Sequence, residues 1–334
     1  MEDKNQTKHA VIDIGSNTIR TVIYALDREH NTARELISER DFTGIIAYVK
    51  YGQLCEAGRL RLVEVLRRMK EFCDIANCKN ISCFSTASLR DADDIEEIRE
   101  RVKNETGIDI RPLSAEEEAL YDLEGLRYAN VSPTGTGLDL GGGSCQIFRY
   151  NENGFAASKS MKIGCLTMSD AFVHGIFPTK HEAKKIRDKV RRALGDIAGE
   201  MCVPEGTFIY ATGGTARAAA RLHAALEGET SLAKETHAKL SRAALADIVA
   251  LSQDDPRECL RTLARIAPAR IHTLITGIIV LRTLCKTLGA DGIKVVNAGI
   301  REGFLRKEIL GAGVSDAAEN FAQASVPEIA TASV

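Results

Sequence analysis

Apolar and polar positions fall into blocks along this chain, and the period changes from block to block. Residues 10–14 form an apolar run broken only by Asp13, the pattern of a strand buried on both faces, and residues 20–26 follow as a second strand. A polar turn at 27–31 leads to a third strand over 34–39. The period then becomes helical: Leu62, Leu66, Met69, Cys73 and Ala76 share one face of a helix predicted over 58–77. Residues 81–85 return as a buried strand. Residues 91–104 read as a charged helix with Ile95, Ile98 and Val102 inward, and 108–112 as a short strand. Ser114 with Glu117 three residues on is a capping box, which opens a helix running to Tyr128.

A Ser/Pro/Thr/Gly linker at 130–136 separates this half from a second that repeats its opening. A strand at 138–140 enters a Gly-rich turn, a strand at 146–150 leaves it, and a polar turn at 151–154 precedes a third strand ending at Met161. Helix is predicted at 181–201, strand at 208–211, helices thereafter, and a final strand at 291–297. The expected division is a first lobe at 1–128, a second at 129–310 whose last helix crosses back to the first, and an Ala/Ser-rich tail at 311–334 with at most one short helix.

One phrase occurs in both halves. Val11-Ile12-Asp13-Ile14-Gly15-Ser16-Asn17-Thr18 is matched by Gly137-Leu138-Asp139-Leu140-Gly141-Gly142-Gly143-Ser144. In each, an apolar strand delivers an aspartate into a small, hydroxyl-bearing turn. A P-loop or dinucleotide-binding turn runs directly into a helix, whereas each of these runs into another strand, so both are tips of β-hairpins. Backbone N–H and hydroxyl groups of Gly15, Ser16, Asn17 and Thr18, and of Gly142, Gly143 and Ser144, can cradle phosphate. Asp13 and Asp139 can hold a divalent cation between them. The combination points to phosphoryl chemistry in a cleft.

Bulk composition narrows the partners. With 334 residues, 44% hydrophobic and 27% charged, the chain has material for about two globular domains. A net charge of −2 gives no general basic field for DNA or for a membrane surface, so an anionic substrate has to be held by local cations. The first residues lack the apolar core of a signal peptide, and the longest apolar stretch, 274–281, is interrupted by Thr276 and Gly277; a cytoplasmic protein is expected. The nine cysteines are scattered and odd in number. Cys73, Cys78 and Cys83 recur every fifth residue, which fits neither a metal knuckle nor one helix face, and they read as structural thiols rather than a metal or redox site.

The duplicated hairpins resemble those of the actin, sugar-kinase and heat-shock-chaperone superfamily. Within it, the two Asp-led phrases, Ser88-Leu89-Arg90, Ser114-Ala115-Glu116-Glu117-Glu118-Ala119, Gly213-Gly214-Thr215-Ala216-Arg217 and Gly299-Ile300-Arg301-Glu302-Gly303 stand in an order similar to the exopolyphosphatase and guanosine-pentaphosphate phosphohydrolase (Ppx/GppA) family, over residues 10–308. The chain resembles the short, two-domain form. The resemblance implies an α/β fold of two actin-like (ribonuclease H-like) lobes, mixed sheets flanked by helices, with the site in the cleft between them.

It also implies roles. Glu118 aligns with a catalytic glutamate that activates water, Arg90 with a phosphate-contacting arginine, and Asp13 with a metal-facing aspartate. Asp139 and Glu117 would help organise Mg²⁺ or Mn²⁺, Arg20 matches a family position, and Gly213, Gly214 and Thr215 would line the substrate channel. From the residues alone, three glutamates in a first helical turn are equally explained by the helix dipole, and Arg90 by an ion pair with Asp93 or Asp94. Gly299–Gly303 reads mainly as structural, closing the last strand onto a helix. The expected substrate is polyphosphate or a (p)ppGpp-type nucleotide of the stringent response, and the default assembly is a homodimer.

Four departures from the family pattern stand out. Cys145 and Gln146 stand where Thr-Glu is usual, Leu120 replaces an arginine, Asp94 an asparagine, and His272 an acid. Gln146 offers a neutral amide with less affinity for cations. These changes keep both phosphate turns and thin the charge network. They leave three readings: a terminal phosphohydrolase, a phosphate- or alarmone-binding regulator, and a kinase of the same superfamily.

Overall fold

The computed structural model describes residues 7–228 and 238–311. β1 (Thr7–Ile14), β2 (Ile19–Asp27) and β3 (Thr32–Asp41) form an antiparallel meander. β1 is central, which is why its sequence does not alternate: Ala10, Val11, Ile12 and Ile14 are all fully buried. The small ribbon of β4 (Val49–Lys50) and β5 (Gln53–Leu54) precedes α1 (Glu56–Ile75), which buries Leu62, Leu66, Met69 and Cys73. α1 ends two residues before the predicted Asn77, because Asn77 takes the left-handed conformation, φ 52°.

β6 (Asn80–Ser85) runs parallel to β1 and is followed by a single helical turn, α2 (Ala87–Arg90). The helix predicted at 91–104 is α3 (Ile95–Thr106); its start slips because the Asp94 carboxylate is held by the Leu54 N–H at 3.2 Å and by Arg59 at 2.6 Å. β7 (Ile110–Pro112) then leads into α4 (Ala115–Tyr128), whose capping box is formed as expected. The strand order of this sheet is β3-β2-β1-β6-β7.

The second lobe repeats the plan. β8 (Gly135–Leu140), β9 (Cys145–Asn151) and β10 (Gly154–Met161) form the meander, followed by α5 (Cys165–Phe172), α6 (Lys180–Leu194) and α7 (Ala198–Met201). Then come β11 (Phe208–Thr212), α8 (Gly213–Leu226), β12 (Lys239–Ser241), α9 (Arg242–Asp254), α10 (Pro256–Ile266), α11 (Leu274–Leu288), β13 (Gly292–Val295) and α12 (Ile300–Phe304). The order is β10-β9-β8-β11-β13-β12, the first sheet's order with one antiparallel strand added at the edge. The helix predicted at 181–201 is broken after Leu194, where Gly195 adopts φ 53°, ψ −138°. The predicted tail lies, beyond Gly311, outside the described residues. No described helix is long and apolar enough to cross a membrane.

Two elements tie the lobes together. α12 returns to the first lobe, where Phe304 lies 5.0 Å from the Phe84 ring and 5.3 Å from Tyr121, within a cluster that includes Val11, Val22 and Tyr24. α4 faces both ways, with Tyr121 in that cluster while Leu123 and Leu126 pack on Phe148, Tyr150 and Val296 of the second lobe. α4 and α12 approach through glycine: a Cβ on Gly303 would collide with the Tyr121 carbonyl, and one on Gly125 with the Gly299 carbonyl. A buried ion pair, Arg306 with Glu124, closes the same seam. Glu118 therefore stands on the helix that both lobes grip.

Candidate active site

The two Asp-led turns are one structure made twice. Gly15 N–H donates to the Thr18 carbonyl at 3.0 Å, and Gly141 N–H to the Ser144 carbonyl at 3.0 Å. The ladder registers place Asp13 opposite Arg20 and Asp139 opposite Gln146. Arg20 and Gln146 are thus equivalent positions of the two lobes, a cation in one and a neutral amide in the other.

The turns also touch. A Cβ on Gly143 would lie 2.9 Å from Ser16 Oγ, and one on Gly142 3.1 Å from Ser16 Cβ, so the second turn is glycine where the first presents serine. Between them lies a cavity of about 220 Å³. Asp13, Gly15, Ser16, Asn17, Thr18 and Arg20 line it from the first lobe; Asp139, Gly142, Gly143, Ser144, Gly213 and Gly214 line it from the second, with Glu118 of α4 between. Gly213, at φ 85°, has no room for a side chain beside the Asp139 carboxylate, and Gly214 none beside the Arg270 guanidinium.

Two predicted site residues stand behind the wall. Thr215 is buried and its hydroxyl lies 3.5 Å from Arg270 Nη1, bracing that arginine. Arg90 donates to the Leu113 carbonyl at 3.1 Å, to Asp91 at 2.9 Å, and to Glu118 Oε1. Glu117 is turned away: its carboxylate accepts from Ser114 N–H at 2.8 Å and from Arg111 at 2.6 Å. The departures at Asp94, Leu120 and His272 lie off the cavity; His272 is exposed, and its carbonyl accepts from Ser169.

Glu118 is 3% exposed. Arg90 occupies Oε1, and the Gln146 amide donates to Oε2 at 2.6 Å while also donating to Ser144 Oγ at 3.0 Å. Burial pushes its carboxyl up to about 8; Arg90 pulls the other way, and the charge on Asp139 adds to the rise. Asp13 is pushed up to about 6, again by burial first, against the pull of Arg301 and with the repulsion of Glu302 and Asp139. Asp139 is raised by burial and restrained by Arg217 and a 3.3 Å hydrogen bond from Thr212.

Several wall residues come from places that sequence reasoning had not connected. Arg40, Arg217, Arg221, Arg270 and Arg301 join Arg20, so six arginines face one cavity. The Gly299–Gly303 segment, expected to be mainly structural, does close β13 onto α12, but it also supplies Arg301 and Glu302. Arg301 lies 3.8 Å from Asp13 Oδ2 and donates to Glu302 at 2.8 Å. Burial lowers Arg217 to about 10, with Glu302 opposing and Arg301 and Arg20 reinforcing. Asp122, one turn beyond Glu118 on α4, is 1% exposed, with the Ile300 backbone N–H beside its carboxylate. Burial, then the charges of Asp139, Glu118 and Asp13, hold it well above the usual carboxylate range. An acid among the buried positions of an amphipathic helix was the available signal for it.

The Glu118 shift has a thermodynamic consequence. Its ordinary value is 4.5 and its folded value about 8, so the neutral acid is the form that burial favours. That contribution to stability is complete below about 4.5 and is lost as pH rises through about 8. Melting temperatures measured across this window are expected to fall more steeply for the native protein than for Glu118→Gln; parallel curves would contradict the assigned shift.

Two sheets of one repeated topology, joined through shared helices and closed on a cavity lined by arginines and carboxylates, define an actin-like two-lobed protein. The Ppx/GppA phosphatase family model matches residues 23–311, and the chain belongs to that family. It is 20% identical to exopolyphosphatase 1 of Mycobacterium tuberculosis over 90% of this chain and 87% of that protein. It is 23% identical to the guanosine-5'-triphosphate,3'-diphosphate pyrophosphatase of Aeromonas salmonicida over 90% of this chain and 59% of that one. Among solved structures, an exopolyphosphatase from Cytophaga hutchinsonii superposes with a TM-score of 0.80 at 19% identity, covering 92% of this chain and 99% of that one. The Aquifex aeolicus Ppx/GppA family member gives 0.74 at 22% identity, covering 91% and 98%. These structural matches carry the fold.

Proposed function

We propose that the protein hydrolyses the terminal phosphoanhydride of inorganic polyphosphate or of guanosine pentaphosphate, with Glu118 taking the proton of the attacking water. The observation that carries this reading is the setting of Glu118, a buried carboxylate held at both oxygens, in a cavity lined by the two Asp-led turns. Each carboxylate oxygen retains lone-pair capacity beyond the donor it already accepts, so the grip leaves room for a water. Phosphoryl transfer needs positioning and charge neutralisation more than covalent chemistry. The turn N–H and hydroxyl groups supply the first, and the arginines the second.

The arginine wall favours a substrate that is anionic well beyond its reacting phosphate. Arg217, Arg221 and Arg270 stand on the second lobe and Arg40 on β3. A chain of phosphates, or a nucleotide with a second phosphate cluster, can engage them together, whereas a simple monoester cannot.

Asp13 and Asp139 are the residues that would hold Mg²⁺ or Mn²⁺. Both are raised by desolvation, so a cation relieves a cost the fold already carries. Among the described residues no three His, Cys, Asp or Glu side chains form a cage by themselves. A cation held by these two carboxylates would complete its shell with water and substrate oxygens, as Mg²⁺ commonly does. When bound, the ion would neutralise phosphate charge. Chelation by EDTA is expected to abolish orthophosphate release, and added Mg²⁺ or Mn²⁺ to restore it; unchanged turnover in EDTA would remove the metal from the account.

Gln146 favours a second reading, a phosphate- or alarmone-binding regulator of the same fold. Orthophosphate release from polyphosphate and from guanosine pentaphosphate decides between them. Turnover supports the hydrolase; tight binding without turnover supports the regulator.

A further inference from the structure

We infer that Gln146 is a positioning residue: its side-chain amide fixes Glu118 in the orientation from which it receives the water's proton. This rests on the hydrolase reading above. Gln146 is 2% exposed and lies on β9, a strand paired on both sides within the second sheet. Its Nε2 donates to Glu118 Oε2 at 2.6 Å and to Ser144 Oγ at 3.0 Å. A primary amide has two N–H donors, and both are spent here, so the group cannot rotate without breaking two bonds.

Arg90, from the first lobe, holds the other Glu118 oxygen. The base is therefore gripped from both lobes, and the second-lobe grip also passes through Ser144 of the phosphate turn. The turn that cradles phosphate and the carboxylate that activates water are set relative to each other by one amide.

The choice of amide over acid follows from the same distance. A glutamate at this position would bring a second carboxylate to hydrogen-bond distance of Glu118 in a buried site. Two such acids cannot both ionise without a shared proton or a cation between them. Gln146 provides a donor to Glu118 with no such requirement. In this chain the neutral residue is thus the one that orders the base, and restoring an acid disorders it.

The test compares orthophosphate release by native protein, Gln146→Met, Gln146→Glu, Glu118→Gln and the Glu118→Gln/Gln146→Met double variant, with melting temperatures confirming that each is folded. Gln146→Met is expected to lower kcat by roughly 100-fold with KM little changed, the scale of a misplaced reacting group. Gln146→Glu is expected to fall below native. In the Glu118→Gln background the Met substitution should add almost nothing, because there is no base left to position. Undiminished kcat in Gln146→Met, a Gln146→Glu faster than native, or losses that multiply in full in the double variant would each overturn the proposal while leaving the hydrolase reading in place. A folded native protein that releases no orthophosphate overturns both.

Discussion

Glu118→Gln is expected to lower kcat for orthophosphate release by about 10²- to 10⁴-fold, the range a general base contributes, with polyphosphate affinity little changed. The substitution keeps shape and removes the charge. Arg90 can still donate to the new side-chain carbonyl, but the new amide then meets the Gln146 amide donor to donor. The arginine wall and the first turn are untouched, so most of the binding survives. Because the native acid is pushed up to about 8, kcat/KM of the free enzyme should rise with pH toward that value as the base ionises. A native profile flat from pH 6 to 9 would contradict the assignment of Glu118 as base.

The largest expected effect on stability is at Gly303. An added Cβ there collides with the Tyr121 carbonyl, a backbone group on α4 that cannot swing aside as a side chain would. Separating α12 from α4 also disturbs Phe304 against Phe84 and the Arg306–Glu124 pair. Gly303→Ala is expected to cost about 3 kcal/mol or more, at the upper end of overpacking, and to lower the melting temperature by several degrees. Since α4 carries Glu118, turnover should fall as well. A Gly303→Ala protein with native melting temperature and rate would show that the seam is looser than described.

What the sequence revealed and what it hid follow from the range of the interactions. The Asp-led turns were legible because each is local: an apolar strand, a short turn and a second strand within some fifteen residues, and the same device repeated. The capping box of α4 was legible for the same reason. The arginine wall was not, because Arg40, Arg217, Arg270 and Arg301 come from separate elements and meet through the packing of both lobes. Asp122 was hidden as a charged residue in a charged helix; its meaning lies in its burial. β12, three residues long, is too short to carry a period. Arg90 and Glu117 were recognised as important, but only the geometry distinguishes the arginine that braces Glu118 from the glutamate that caps the helix. Gln146, marked in the sequence as a missing acid, proves in the structure to be the donor that holds one.

The central claim is that a water activated by Glu118 attacks the terminal phosphorus in the cleft between the lobes. Hydrolysis of polyphosphate in ¹⁸O-labelled water, followed by mass analysis of the released orthophosphate, tests it most directly. The account predicts one labelled oxygen per orthophosphate released by the native protein, and release by Glu118→Gln reduced by at least about 100-fold under the same conditions. Equal rates for the two proteins would contradict it.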